Sequence, residues 1–291
     1  MAVTSEQIDV RGYPTQCLMA GTGPPMVLLH GAGENAADWQ WVMPSLAERY
    51  RVLAPDLPGS LGCTRPEDIS LSAYFATFIG RFLDTLQVSE AIVIGSSFGG
   101  LIALQFALSN PRRVIALGLA DSLGLGQEIN PMVRWLVSPG VGELEGAWSV
   151  TIPGCLSRAW MRAGLYFARP SRTPDAWINE QQRLAQQPGF LPAWVDALRT
   201  IVGPGGQREV MLDHLLKLTM PTLLVWGDRD GVVPHCHAQH ALERLSNGRL
   251  QLLADCGHLP QVEQPDAFVA AVRQFLAETV ECQPNLATDP V

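Results

Sequence analysis

The chain has 291 residues, 47% of them hydrophobic and 16% charged, and carries a formal net charge of −8. Such a length holds one large α/β domain with an insertion, or two modest domains, with ample apolar material for a core. The negative charge argues against nucleic acid or an anionic membrane as a partner, and the apolar runs fall far short of the ~18 residues that span a bilayer.

The first residues, Met1 to Gln7, lack the basic start and apolar block of a signal peptide. Six cysteines, at positions 17, 63, 155, 236, 256 and 282, are scattered without a C-x-x-C pair. Reduced thiols in a cytoplasmic protein are the simplest reading. Between Ile8 and Met19, two short stretches around Arg11-Gly12 predict an antiparallel hairpin. Met26 to His30 reads as a buried strand that ends in the glycine turn Gly31-Ala32-Gly33. A helix over Trp41–Glu48, a strand over Tyr50–Ala54 and a turn-rich loop from Asp56 to Cys63 follow. Phe75, Phe78, Ile79, Phe82 and Leu86 recur at helical spacing.

Ala91 to Ile94 is a short apolar strand that meets Gly95-Ser96-Ser97-Phe98-Gly99 and passes at once into an apolar helix, Leu101 to Leu108. This is G-x-S-x-G between a strand and a helix, where the middle residue, Ser97, takes a strained conformation that presents its hydroxyl. Val114–Ala120 is another buried strand, so strands and helices alternate, as in a parallel sheet covered on both faces. The rhythm breaks after Asp121. Residues 122–210 carry five tryptophans and no clear buried strand, with helices expected over Ser157–Ala168, Asp175–Ala185 and Leu191–Ile201. The tryptophans either pack this insertion onto the main domain or line an apolar pocket beneath it. The alternation resumes with a strand at Thr222–Trp226, a helix near His237–Leu245, a strand at Arg249–Leu253 and a last helix from Pro265. Residues 281–291 read as a flexible tail.

Sites in parallel α/β sheets form beyond the carboxyl ends of strands, and four such ends carry useful chemistry. A serine hydroxyl needs an imidazole to take its proton, and the imidazole needs a carboxylate on its other nitrogen. Ser97 is the candidate nucleophile, and His258, in the loop after the last strand, is the candidate base. His30 is better suited to ordering its own glycine turn. Beyond Cys236, His235, His237 and His240 have no acidic or cysteine cluster at ligand spacing, and no metal is expected. Asp121, Asp228, Asp230 and Asp255 all sit in loops that could supply the acid, and their chemistry alone does not separate them.

Together these stretches resemble the α/β-hydrolase superfamily in its cap-bearing branch, over about Val27 to Leu276. The resemblance implies a mostly parallel, doubly wound sheet with a helical cap inserted after the sixth strand. The core is then 1–121 and 211–280, with the cap at 122–210. His30-Gly31-Ala32-Gly33 resembles the oxyanion loop, and Trp226 to Asp230 followed by Pro234 resembles the acid loop, which selects Asp230. Cys256-Gly257-His258 resembles the histidine loop. The implied oxyanion donors are the backbone N–H groups of Ala32 and Phe98. One departure is Gly59-Ser60-Leu61-Gly62, one residue longer than the family's D-x-P-G-x-G loop. Asn179 to Arg183, with Pro188-Gly189, is similar to the caps of carbon–carbon bond hydrolases that act on ring-cleavage products. That similarity makes Arg183 a candidate carboxylate ligand and draws attention to Leu259, where those enzymes commonly place tryptophan.

The expected activity is cofactor-independent serine hydrolysis of a small, largely apolar ester or lactone through an acyl-enzyme on Ser97. Carbon–carbon hydrolysis of a vinylogous diketone is the alternative within the class, and a ligand receptor of the same fold without turnover is the alternative outside it. The expected partner is a small-molecule substrate, with neither nucleic acid nor membrane, and self-assembly into a homo-oligomer is compatible with the sequence.

Overall fold

A computed structural model describes residues 1–58 and 69–280. The expected loop at 59–62 and the expected tail at 281–291 lie outside the described residues. The chain opens with the hairpin β1 (Thr4–Val10) and β2 (Tyr13–Ala20), followed by β3 (Pro25–Leu29), α1 (Met43–Leu46) and β4 (Arg51–Pro55). Next come α2 (Leu71–Thr85), β5 (Ala91–Ser96), α3 (Phe98–Ser109) and β6 (Val114–Ala120). Five helices follow: α4 (Pro131–Leu136), α5 (Val141–Ser149), α6 (Ile152–Tyr166), α7 (Asp175–Ala185) and α8 (Phe190–Ile201). A tiny hairpin, β7 (Val202–Gly203) and β8 (Gly206–Gln207), leads back to β9 (Thr222–Gly227), α9 (Cys236–Arg244) and β10 (Gly248–Leu253). Helices α10 (Pro260–Glu263) and α11 (Pro265–Thr279) complete the described chain.

Eight strands form one sheet in the order β1-β2-β4-β3-β5-β6-β9-β10. Pairing is antiparallel for β1/β2 and β2/β4 and parallel from β4 to β10. The continuous apolar strands make physical sense because both faces are covered. Met26, Leu28, Ile92 and Ile94 project into one core with Met43 of α1 and Phe268, Val272 and Phe275 of α11. Val27, Leu29, Ala91 and Val93 project into the other, with Phe75 and Phe82 of α2 and Leu101 and Leu104 of α3. Each large aliphatic or aromatic side chain so buried contributes about 1.5–3 kcal/mol.

Register brings the functional loops together. Ser96 pairs with Ala120, Ala120 with Val225, and Gly227 with Leu253, so β5, β6, β9 and β10 end at about one level. The positions just beyond them hold Ser97, Asp121, Asp230 and His258.

The expected helix over Trp41–Glu48 shrinks to α1, because a 3-10 turn over Ala36–Trp39, capped by Asn35, takes up the chain before it. In the insertion, α4 and α5 were not foreseen, since their glycines, prolines and exposed apolar side chains blur the helical period. Helix α6 begins five residues earlier than expected, at Ile152 rather than Ser157. Thr151 caps it by accepting the Gly154 N–H at 3.1 Å, and Pro153 sits in the first turn where its missing N–H costs nothing. Among the described residues, no helix is long and apolar enough to cross a membrane.

Candidate active site

Ser97 occupies the junction between β5 and α3, with backbone angles φ 54° and ψ −117°. A non-glycine residue held at positive φ costs on the order of 1–3 kcal/mol, so the surroundings must enforce it. They do so by close backbone contact. A Cβ on Gly95 would strike the carbonyl of Gly99, and one on Gly99 would strike the carbonyl oxygens of Leu29 and His30. The Ser97 N–H is also anchored to the Ala120 carbonyl at 2.9 Å. Ser97 is 8% exposed and lines a cavity of about 100 Å³ shared with Ala32, Leu123, Trp194 and Tyr166.

The loops after β9 and β10 meet at Asp230 and His258. Asp230 accepts the N–H groups of Val232 (2.7 Å) and Val233 (3.1 Å) on one oxygen, and its other oxygen lies 2.9 Å from Nδ1 of His258. Both side chains are fully buried. A carboxylate at Nδ1 fixes the proton there and leaves Nε2 as the basic nitrogen. Nε2 is buried and has no partner among the described residues. The His258 ring stands edge-on to Tyr166, with centroids 5.1 Å apart, and Tyr166 itself lines the cavity with Ser97. The His258 N–H donates to the Tyr166 carbonyl at 2.6 Å, and Gln261 donates to Ser96 Oγ at 3.2 Å. Trp226 Nε1 holds the acid loop by donating to the Val233 carbonyl at 3.2 Å.

The other aspartates fall elsewhere. Asp228 accepts the Cys256 N–H at 3.4 Å, and Asp255 is exposed between Arg169 and Arg229. Asp121 is different: it is fully buried, and one oxygen accepts the Gly227 N–H at 3.0 Å while the other is unpaired. Asp121, Asp230 and His258 present ligand atoms all within 4.8 Å of one another. Burial, and then the charge of Asp230, push the Asp121 carboxyl well above the usual carboxylate range. That direction favours the protonated form of Asp121. The sequence offered Asp121 as one acid among four and gave no sign that it would join the same cluster as Asp230.

The His30–Gly33 loop is braced from below and from the side. His30 Nε2 accepts the Leu57 N–H at 2.9 Å, and Nδ1 lies 2.9 Å from the Gly31 carbonyl, a pattern only the neutral Nδ1–H tautomer satisfies. Burial lowers its pKa accordingly. Glu34 accepts the Gly31 N–H at 3.0 Å on one oxygen and pairs with Arg162 at 3.1 Å on the other. Ala32 faces the cavity. Phe98, as the first residue of α3, has an N–H with no acceptor inside its helix. Sequence reasoning missed Glu34, Arg158, Arg162 and Tyr166. The only available signal was the spacing of Arg158 and Arg162, four apart on one helix face.

Two residues singled out by the sequence lie away from the cavity. Arg183 does not line the cavity; it is exposed and pairs with Glu180 one turn back on α7 at 2.6 Å. Leu259 is likewise outside it, fully buried with Trp177, Phe167 and Val262 where the cap rests on the histidine loop. The tryptophans divide the same way. Trp194 lines the cavity and Trp177 packs cap to core, whereas Trp135, Trp148 and Trp160 are exposed and do neither. The histidine run forms no cluster: His237 bonds Glu128 at 2.8 Å, which lowers the Glu128 pKa.

A parallel sheet with a serine on a strained strand–helix turn, a buried carboxylate–imidazole pair and a helical cap defines an α/β hydrolase. Residues 26–271 match the alpha/beta hydrolase family, and the chain belongs to it. Among its relatives, the pimeloyl-[acyl-carrier protein] methyl ester esterase of Aeromonas hydrophila is 31% identical, over 88% of this chain and 96% of its own. The 2-hydroxy-6-oxo-2,4-heptadienoate hydrolase of Pseudomonas putida is 28% identical, over 91% of this chain and 94% of its own. In structure, the chain is similar to 2-hydroxy-6-oxo-6-phenylhexa-2,4-dienoate hydrolase from Rhodococcus sp. strain RHA1, with a TM-score of 0.80 and 21% identity over 95% and 99% of the two chains. The protein is thus a hydrolase with both esterases and carbon–carbon bond hydrolases among its relatives.

Proposed function

We propose that this hydrolase cleaves a small, largely apolar ester or lactone through an acyl-enzyme on Ser97. The observation that carries the reading is the Asp230–His258 contact of 2.9 Å, which leaves a buried Nε2 without a partner among the described residues, on a ring packed against Tyr166 of the cavity that the strained Ser97 also lines. In this mechanism Nε2 takes the Ser97 proton as Oγ attacks the carbonyl carbon. The N–H groups of Ala32 and Phe98 hold the resulting oxyanion, and one such donor typically contributes on the order of 100-fold or more in turnover. Collapse breaks the C–O bond, and the imidazolium returns its proton to the departing alkoxide. Water, deprotonated by the same nitrogen, then releases the acid. Unpaired Cys17, Cys155, Cys236 and Cys256 support placing the enzyme in the cytoplasm.

Intact-mass spectrometry after fluorophosphonate treatment tests the nucleophile. The parent should gain one adduct and Ser97→Ala none; an adduct that persists in the variant removes Ser97 from the mechanism. The similarity to the P. putida enzyme along 94% of its length keeps carbon–carbon hydrolysis as a second reading. Nitrophenyl esters and a ring-cleavage dienoate assayed side by side separate the two, and strong preference for the dienoate would overturn the ester reading.

A further inference from the structure

Helix α6 carries two arginines, Arg158 and Arg162, one turn apart on the face that covers the cavity. They are only 6% and 8% exposed, although most of the remaining lining is aliphatic or aromatic: Leu123, Ile129, Val133, Leu165 and Trp194 among others. Arg162 has an anionic partner: it donates to Glu34 at 3.1 Å with its guanidinium 4.6 Å over the Tyr166 ring, although its Nε is buried without a partner among the described residues. Arg158 is less well met. Its Nε lies 3.5 Å from Glu145, at the limit of a hydrogen bond, and its Nη1 is buried without a partner among the described residues.

A buried guanidinium with unmet donors is costly unless an anion supplies the missing acceptors. The nearby carboxyl groups do not fill the gap. Glu34 is taken by Arg162 and the Gly31 N–H, and Glu145 is partly exposed. Asp38 is pushed well above the usual carboxylate range, by burial and then by Glu34, which disfavours its charged form. The Arg158 pKa falls to about 9, through burial and then the like charge of Arg162. The guanidiniums also sit close to the oxyanion loop: a Cβ on Gly33 would lie 2.8 Å from Arg162 Nη1 and 3.6 Å from Arg158 Nη2. An anion held there is in the same cavity as Ser97 and next to Ala32.

We infer that Arg158 is an anion subsite and that the preferred substrates carry a carboxylate on a short chain from the scissile carbonyl. The inference rests on the serine-hydrolase reading for the word substrate, and on the cap geometry alone for the word anion. A carboxylate suits a guanidinium because the two form paired, parallel hydrogen bonds.

Paired esters test it. Hydrolysis of monomethyl glutarate and monomethyl adipate, followed by acid release, is compared with methyl valerate and methyl hexanoate. The half-esters should show at least tenfold higher kcat/KM. In Arg158→Gln that ratio should fall towards one, mainly through KM, while Arg183→Gln, whose side chain lies outside the cavity, keeps the parent's ratio. Glu145→Gln, which removes the competing carboxylate, should lower KM for the half-esters; this variant keeps the test alive if Arg158→Gln does not fold. A parent that prefers the neutral esters, or a ratio that Arg158→Gln leaves intact, overturns the inference. Calorimetry with glutarate separates its failure from that of the hydrolase reading. If no ester is cleaved but glutarate binds and weakens at least tenfold in Arg158→Gln, the subsite stands and the serine reading falls; if glutarate does not bind, the subsite falls.

Discussion

Replacing Asp121 by asparagine tests whether the site holds one charged carboxylate or two. The pair of side chains lies within the 4.8 Å cluster with His258. Two full charges at that distance would repel by about 3.5 kcal/mol at an effective dielectric of 20, which is enough to keep one proton in place. Asparagine has nearly the same shape, can still accept the Gly227 N–H, and carries no carboxyl proton. The sign follows from linkage. Because the folded-state pKa of Asp121 is raised, the native protein keeps a proton that the unfolded chain gives up near pH 4. Stability is therefore fully present below the unfolded value and is lost as pH rises towards the folded one, by up to about 1.4 kcal/mol per pH unit. Asp121→Asn has no such proton to lose. Urea unfolding of both proteins from pH 4 to pH 8 should show the variant gaining steadily on the parent, with all other groups cancelling in the difference. Parallel curves would mean that Asp121 titrates alike in both states and would refute the neutral-acid assignment.

Asp230→Asn should lower kcat by on the order of a thousandfold or more, because it loses the negative partner that fixes the His258 tautomer; steady-state ester hydrolysis reads this. With the Asp230 charge gone, Asp121 is freer to ionise, so the double variant with Asp121→Asn should be slower than Asp230→Asn alone. Glu34→Gln strips the charge from a buried pair and should destabilise by about 3 kcal/mol in urea unfolding, whereas Glu278→Gln, at an exposed pair 3.9 Å from Arg249, should cost under about 1 kcal/mol. Gly99→Ala forces a methyl against the Leu29 and His30 carbonyls, and should destabilise by about 3 kcal/mol or more in the same measurement.

What was legible in the sequence is what local chemistry dictates. The strand before Ser97 and the helix after it are continuous apolar runs bounded by glycines, and the alternation of strands and helices identified the sheet. His258 and Ser97 were visible because each ends a strand. The pocket was not legible, because its walls come from segments far apart in the chain: Arg158 and Tyr166 of α6, Trp194 of α8 and Ala32 of the oxyanion loop meet only after folding. Arg183 was singled out by a local pattern, yet its helix turns it to solvent and to Glu180. The charge state of Asp121 was hidden for the same reason, since it depends on a neighbour 109 residues away, at Asp230.

The bond from the His258 N–H to the Tyr166 carbonyl has a mechanical consequence. Just beyond it, the N–H groups of Ala168 and Arg169 reach the Glu263 carboxylate, at 3.2 Å each, and that carboxylate also accepts the Gly257 N–H. The end of α6 and the loop that carries the imidazole thus form one clamped corner. A cap that lifted at this corner would pull on the His258 loop. Helix α5, by contrast, packs on α4, α6 and α8, all parts of the cap itself, and so is tied to the His258 loop only through them.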